Sequence, residues 1–118
     1  MTTNDVWTVG EIGLGIDTQA LIEHWNGSQW NVVPSPRPVP GPYPVGVRLD
    51  KVAAITANDV WAVGSYNDLG RALVEHWDGA SWTIIPSPNP GAIGYGSYFL
   101  GLAARATDDV WAVGAFQF

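Results

Sequence analysis

The chain contains no cysteine, and this absence limits the chemistry available to it. Disulfide frameworks, thiolate nucleophiles and cysteine-held metal clusters are all excluded. Basic residues are also scarce, with five lysines and arginines against eleven acidic residues and a net charge of −6. Nucleic acids and anionic membrane surfaces both attract clustered cations, so each is a poor match for this composition. We therefore expect neither as a partner.

Long apolar runs are missing too. No stretch approaches the length of a membrane span, and the first residues, MTTNDV, show neither the basic nor the apolar segment of a secretory leader. We expect no signal peptide in this chain. The compartment stays open, with an extracellular or cell-surface location expected if the chain belongs to a longer secreted parent.

What the chain does contain is repetition. NDVWTVG (residues 4–10) returns as NDVWAVG (58–64) and DDVWAVG (108–114), and residues 21–38 match residues 73–90 at a constant offset. A period of about fifty residues is typical of propellers, solenoids or arrays. The tryptophans follow the same period, which indicates a structural role. All seven lie at repeated positions: Trp7, Trp61 and Trp111; Trp25 and Trp77; Trp30 and Trp82.

Each unit predicts four short strands, labelled a to d. Strand a covers residues 48–56, with a counterpart at 97–107, and strand b is the repeated Val-Trp-Ala-Val-Gly at 60–64. Strand c covers residues 72–77. Strand d covers residues 81–86 and ends at a proline, which cannot continue a ladder. No segment has helical periodicity over more than one turn, so we expect an all-β fold.

The turns between these strands have their own signals. Asn58-Asp59 is predicted to form the a–b turn, because such side chains bond their own backbone in turns. Asn26-Gly27 and Asp78-Gly79 stand between strands c and d. An Asn-Gly or Asp-Gly pair flanked by strand residues is a strong hairpin signal, because the central residues of its tight turn need positive φ.

Strand b is apolar on both faces, with Val60 and Ala62 on one and Trp61 and Val63 on the other. A strand buried on both sides belongs to a sheet that is covered on both sides. Radially stacked four-stranded sheets provide that cover in a β-propeller. A β-solenoid is the alternative, although its coils are usually shorter and lack hairpin turns.

The unit resembles a propeller blade of the kelch-like, galactose-oxidase-type class found in bacterial repeat proteins. The residues that carry the resemblance are NDVWAVG, then EHW followed by Asn-Gly or Asp-Gly, then PSP-x-P, and they extend over essentially the whole chain. The resemblance implies four-stranded antiparallel blades. It does not imply copper chemistry, since that requires a cysteine.

Counting strands gives about two blade equivalents over residues 1–118. Residues 1–38 supply a partial blade (b-c-d), residues 48–90 a full blade (a-b-c-d) and residues 97–118 a second partial blade (a-b). Propellers close at roughly four to eight blades. The chain is therefore expected either to form a ring with copies of itself, as a trimer or tetramer, or to be a segment of a longer propeller. In a ring, strand b would be duplicated where two copies meet, so one of the two must be displaced.

Two Glu-His pairs, Glu23-His24 and Glu75-His76, are the only motif that suggests chemistry. Neighbouring residues of a strand point to opposite faces, so neither pair is a local dyad. We interpret them as structural, with His or Glu hydrogen-bonding between blades. No hydrolase, zincin, phosphate-loop or EF-hand motif is present. We expect no catalytic residues, no metal and no cofactor.

The repeats differ most in the b–c and d–a loops, which leave an antiparallel blade at the same end. Loops on a rigid scaffold are where binding residues tend to lie. We therefore predict a loop-side ligand surface for a carbohydrate or another protein. Its candidate residues are Arg37, Tyr43, Tyr66, Asp68, Arg71, Tyr95 and Tyr98.

The expected function is a non-catalytic binding or scaffold module. One alternative is a truncated propeller piece without activity of its own. A further alternative is a hydrolase or lyase with its site in the central channel of the assembled ring. Strand a would line that channel and offers only Arg48, Asp50, Lys51 and Arg105.

Overall fold

A computed structural model describes residues 4–14, 17–38, 45–66, 70–88 and 96–116. Within these ranges every regular element is a β-strand, so the expected all-β class is confirmed. The strands are β1 (Val6–Ile12), β2 (Gln19–Trp25), β3 (Trp30–Val32), β4 (Arg48–Thr56), β5 (Asp59–Tyr66), β6 (Arg71–Trp77), β7 (Trp82–Ile84), β8 (Ser97–Ala106) and β9 (Asp109–Phe116).

The nine strands form three antiparallel sheets, none of which closes on itself. Sheet 1 has the order β1-β2-β3, sheet 2 the order β4-β5-β6-β7 and sheet 3 the order β8-β9. Within each sheet, every strand pairs with its neighbour in sequence, as expected for chains of hairpins. The strand assignment from the repeats is correct to within a few residues. Strand d is the exception, since β7 covers only three residues and ends at Ile84, before Pro86.

The c–d hairpins exist, but their loops are longer than the expected two residues. Trp25 pairs with Trp30, so four residues form the loop between β2 and β3. The side chain of Asn26 accepts hydrogen bonds from the backbone N–H groups of Ser28 and Gln29, at 2.9 and 3.1 Å. The loop therefore closes through a side-chain cap as well as through its glycine, whose φ is 98°. The loop between β6 and β7 repeats this arrangement.

The a–b turn differs from the expectation at one residue. Ala57 and Asn58 form the turn, and the hydroxyl of Thr56 accepts the backbone N–H of Asn58 at 3.2 Å. Asp59 is the first residue of β5 and is 5% exposed, so it does not cap the turn. Its carboxylate instead binds a side chain on the neighbouring strand, as described below.

The glycine that ends strand b has a steric reason. The pairing of β4 with β5 shifts by one residue between Leu49 and Lys51, which brings the β4 backbone close to Gly64. A Cβ on Gly64 would lie 2.0 Å from the carbonyl oxygen of Arg48. Gly10, its counterpart in sheet 1, has no described atom within 4 Å of such a Cβ, since none of the described strands pairs with β1 on the side where a strand a would lie.

The sheets stack face to face, with β4 against β1 and β2, and β8 against β4, β5 and β6. Sheet 2 is consequently covered on both faces, as the apolar strand b predicted. Val60 and Ala62 on one face of β5, and Val63 on the other, are fully buried. The main core lies between sheets 1 and 2 and includes Trp7, Ile22, Val47, Leu49, Val60, Ala62, Leu73 and Trp82.

Candidate functional site

The repeated aspartate, histidine and tryptophan meet in sheet 2. His76 Nε2 lies 2.7 Å from Asp59 Oδ1, across the β5–β6 ladder. The indole of Trp61 lies against the same imidazole, with ring centroids 4.4 Å apart. Strand pairing explains the arrangement, because Trp61 and His76 are directly opposite each other and share a face. The imidazole is thus held by a carboxylate at its edge and an indole on its plane.

Sheet 1 contains the same cluster. His24 Nε2 lies 2.6 Å from Asp5 Oδ1, and the Trp7 ring stacks on His24 with centroids 4.3 Å apart. Two copies with the same geometry indicate a structural unit that the repeat reproduces. Each histidine binds an aspartate of its own repeat unit, so the hydrogen bond expected between blades from His or Glu is not made by the histidines.

Sheet 3 contains this cluster without its histidine. Asp109 and Trp111 occupy the positions of Asp5 and Trp7, but the described residues include no strand c beside β9. The Trp111 indole N–H instead donates to Asp109 Oδ1 at 3.0 Å, and Arg105 Nε lies 3.6 Å from Oδ2 of the same carboxylate. Trp111 is 68% exposed, whereas Trp7 is 7% exposed.

A second contact joins sheet 1 to sheet 2. Ser35, in the Pro-Ser-Pro segment after β3, donates its hydroxyl to Glu75 on β6, at 3.0 Å from Oε1 and 3.1 Å from Oε2. Glu75 is fully buried. Burial raises the pKa of this carboxyl to about 7, against the smaller lowering effect of the Ser35 hydrogen bond. The expectation of a hydrogen bond between units is therefore correct for Glu75.

The loop side of sheet 1 has a groove of about 530 Å³. Its walls come from the start of β2 (residues 17–20) and from the segment between β3 and β4 (residues 32–38, with Val45 and Val47). The described parts of a b–c loop and a d–a loop therefore meet here, as predicted from strand topology. Arg37 contributes the one cationic side chain among the lining residues, and Asp17 the one anionic side chain.

The predicted site residues lie in different places. Arg37 lines the groove described above, and Tyr98 lines a smaller groove of about 270 Å³ beside β9. Tyr66 and Arg71 are cross-strand partners at the end of the β5–β6 hairpin, and Tyr66 packs against the core. Tyr43, Asp68 and Tyr95 lie outside the described residues.

Sequence reasoning missed Thr18 and Gln19 as groove residues, and it missed the bond between aspartate and histidine. A signal for the bond was available, since every copy has Asp-Val-Trp, and a histidine stands at one position of both c strands. Three of the four strand a residues considered for a channel site form local ion pairs, and Arg105 pairs with Asp109. Arg48 lies 3.2 Å from Asp50.

No group of three potential metal ligands occurs in the described part of the chain. The same part contains no helix long and apolar enough to cross a membrane. In comparisons with family models, curated proteins and solved structures, nothing matched this chain.

Proposed function

We propose that this chain is a non-catalytic scaffold of the β-propeller type. Its three sheets would be consecutive blades, partial at residues 1–38, complete at 48–90 and partial at 97–118. It would assemble with copies of itself and present a ligand surface on its loop side. The observation that carries the proposal is the interface between sheets 1 and 2. The residue types that form this interface are found again on surfaces of the chain that other copies could cover.

That interface is built from tryptophan and a buried hydrogen bond. The Trp7 ring contacts Trp77 and Trp82 of sheet 2, with centroids 5.2 and 5.4 Å apart. Ser35 and Glu75 add the polar contact described above. Aromatic pairs of this kind contribute about 1 kcal/mol beyond the area they bury, so they favour one defined packing over others.

The counterparts of these residues stand on the face of sheet 1 that is turned away from sheet 2, called here the outer face of sheet 1. Trp25 and Trp30 are the repeat equivalents of Trp77 and Trp82, and Glu23 is the equivalent of Glu75. Trp30 is 48% exposed and Val32 is 69% exposed. Adjacent large apolar residues at such exposure are typical of an association surface.

Head-to-tail contacts of a repeat close into rings when the rotation per copy allows it. Each copy contributes about two blades, so three copies would give a ring of about six and four copies a ring of about eight, both within the range of known propellers. Light scattering behind a sizing column tests this. A discrete trimer or tetramer supports the proposal, and a monomer at tens of micromolar overturns the self-assembly and favours the alternative of a propeller piece.

The loop-side groove supports the ligand part of the proposal. At about 530 Å³ it has the volume of a small-molecule or side-chain site, and its lining combines the charged residues Arg37 and Asp17 with polar residues and with valine and proline. A carbohydrate or a peptide segment of another protein fits this mixture of surfaces. We would screen the assembled protein on a glycan array and by affinity capture, with Arg37→Ala as the variant. A ligand that binds Arg37→Ala as tightly as it binds the wild type must bind elsewhere. If neither screen finds a ligand, the proposed ligand surface is wrong.

A further inference from the structure

The free edge of β9 has the features of a site for an incoming strand. In sheets 1 and 2, strand b pairs with a strand c that carries a histidine, and that histidine binds the aspartate and the tryptophan of strand b. In sheet 3, Asp109 and Trp111 present the same two groups beside an edge with no described neighbour. The Asp109 carboxylate accepts a hydrogen bond from Trp111, whereas the equivalent carboxylates of sheets 1 and 2 bind an imidazole.

A groove beside that edge is the second observation. It has a volume of about 270 Å³ and lies between sheet 2 and sheet 3, with Ala72 on one side and Phe99, Gly114 and Ala115 on the other. In sheet 2 the residue opposite the corresponding glycine, Gly64, is Leu73 of strand c, which is 1% exposed. The groove therefore lies where an incoming strand c would place a leucine.

The third observation is the polar contact between units. Ser87 has the same place in its Pro-Ser-Pro segment as Ser35, and it also lines the groove beside β9. Ser35 reaches the glutamate that precedes the histidine of the next strand c. A strand c beside β9 would bring such a glutamate towards Ser87.

We propose that the edge of β9 binds the β2–β3 hairpin of a second copy of this chain, with His24 of the second copy entering the Asp109–Trp111 pair. This inference rests on the proposed self-association and specifies its joint. Leu21 of the second copy lies over the groove beside β9, and Glu23 of the second copy faces Ser87.

The chain itself limits the choice of occupant. It has two histidines, and both lie in the Leu-x-Glu-His-Trp sequence of a strand c. His76 is on β6, whose partner strand β5 is itself paired with β4 on its other side. His24 is on β2 of sheet 1, whose outer face is exposed and whose β1 is itself an edge strand. The β2–β3 hairpin is therefore the strand c that a second copy can donate.

Donation requires β2 to exchange its own β1 for β9 of the other copy. The two strands are nearly interchangeable, since Asp, Val, Trp, Val and Gly stand at the same places in both, and the central difference is Thr8 against Ala112. The exchange therefore replaces one ladder by an equivalent one. What is gained is new burial, because Trp25 and Trp30 of the second copy cover Trp61 as Trp77 and Trp82 cover Trp7.

The existing β1–β2 ladder supplies the register of the joint. Thr8 pairs with Glu23 and Trp7 with His24, so Ala112 is expected opposite Glu23 of the second copy and Trp111 opposite His24. Cα atoms of directly opposed residues lie about 4.5–5.5 Å apart, a spacing that a disulfide can bridge. The absence of native cysteine makes engineered cross-links specific.

The decisive experiment mixes two single-cysteine full-length chains, Ala112→Cys and Glu23→Cys, under mild oxidation. We expect a disulfide-linked heterodimer in at least about ten times the yield of the control mixture, Leu100→Cys with Glu23→Cys. Leu100 is exposed on the neighbouring strand β8 and lies outside the joint. A second mixture, Leu102→Cys with Thr8→Cys, reports the opposite exchange, in which β8 pairs with β1 of the second copy.

Each outcome decides the inference. Cross-linking of Ala112→Cys with Glu23→Cys alone supports it, and cross-linking of Leu102→Cys with Thr8→Cys alone overturns it. An oligomer without either cross-link rejects this joint but leaves the self-association standing. A monomer without cross-links rejects both.

A variant without cysteine gives an independent measurement. Trp111→Ala is expected to raise the dissociation constant of the oligomer about 30-fold or more, because a tryptophan that becomes buried at an interface is a typical hot spot. Leu100→Ala, which removes another exposed apolar side chain from sheet 3, is expected to leave the constant within about threefold. Equal effects of the two substitutions would overturn the inference.

Discussion

Ser35 and Glu75 lie 40 residues apart and meet across the junction between sheets 1 and 2, where one hydroxyl donates to both oxygens of a fully buried carboxyl group. A carboxylate without such a donor is costly to bury, because its charge loses its hydration. The contact therefore ties the Pro-Ser-Pro connection to strand c of the following unit. It also places a titratable group at the junction.

Glu75 should make the fold less stable as the pH rises. Its pKa is raised from 4.5 to about 7, so the folded chain holds the proton more tightly than the unfolded chain. Its stabilising effect is complete below about pH 4.5 and is lost as the pH rises through about 7. Relative to Glu75→Gln, the wild-type free energy of unfolding should fall by up to about 3 kcal/mol over that window.

Urea denaturation at a series of pH values measures that difference. Glu11→Gln is the control, since Glu11 is an exposed glutamate on β1. Parallel pH profiles for wild type and Glu75→Gln would contradict the prediction.

Ser35→Ala should destabilise the junction and raise the pKa of Glu75 further, because the hydroxyl lowers that pKa in the wild type. We expect a loss of about 1–3 kcal/mol at pH 8, where the carboxylate is charged and has lost its donor. The loss should shrink at pH 4.5 and in the Glu75→Gln background. Carboxyl-carbon NMR titration and a double-mutant cycle measure the two effects, and additive substitutions would count against the hydrogen bond.

His76→Ala should be more harmful than His24→Ala. Both substitutions remove an imidazole from an aspartate and a tryptophan, but the Asp59 side chain is 7% exposed and that of Asp5 is 19% exposed. The charge left behind in sheet 2 is harder to hydrate, so we expect about 2–4 kcal/mol for His76→Ala and about 1–2 kcal/mol for His24→Ala. Thermal and chemical unfolding measure both losses, with Asp59→Asn added to His76→Ala and Asp5→Asn added to His24→Ala as controls. A larger loss for His24→Ala than for His76→Ala would contradict this account.

The glycines that end strand b form a matched pair for a steric test. Gly64→Ala should cost at least about 3 kcal/mol or prevent folding, since the new Cβ would meet backbone at 2.0 Å. Gly10→Ala should change the free energy of unfolding by no more than about 0.5 kcal/mol, because that position is open. If instead Gly10→Ala abolished self-association, a strand a must lie beside β1 in the assembly.

Much of the fold follows from local patterns. The limits of β4 and the order of the strands are readable from the repeat and from alternating apolar residues, because a strand must present one side chain to each face in turn. The loop-side groove also follows from strand topology, since the b–c and d–a loops leave the sheet at one end, and Arg37 lines it. The sequence predicts Tyr66 as a loop-side binding residue, whereas Tyr66 packs against the core, because position near a loop does not determine how a side chain packs.

The sequence alone specifies a repeating unit. Short-range information in the chain includes its period, its paired tryptophans and its turn residues. Strand formation, hairpin closure and the apolar faces of the strands depend on little else. The contacts between sheets are not determined by such short-range information, because they depend on the distance and the twist between stacked sheets. Only the folded chain brings Ser35 to Glu75, leaves Gly10 open while closing Gly64, and leaves Asp109 with Trp111 but no imidazole. Those contacts are long-range, and no pattern along the chain encodes the distances that decide them.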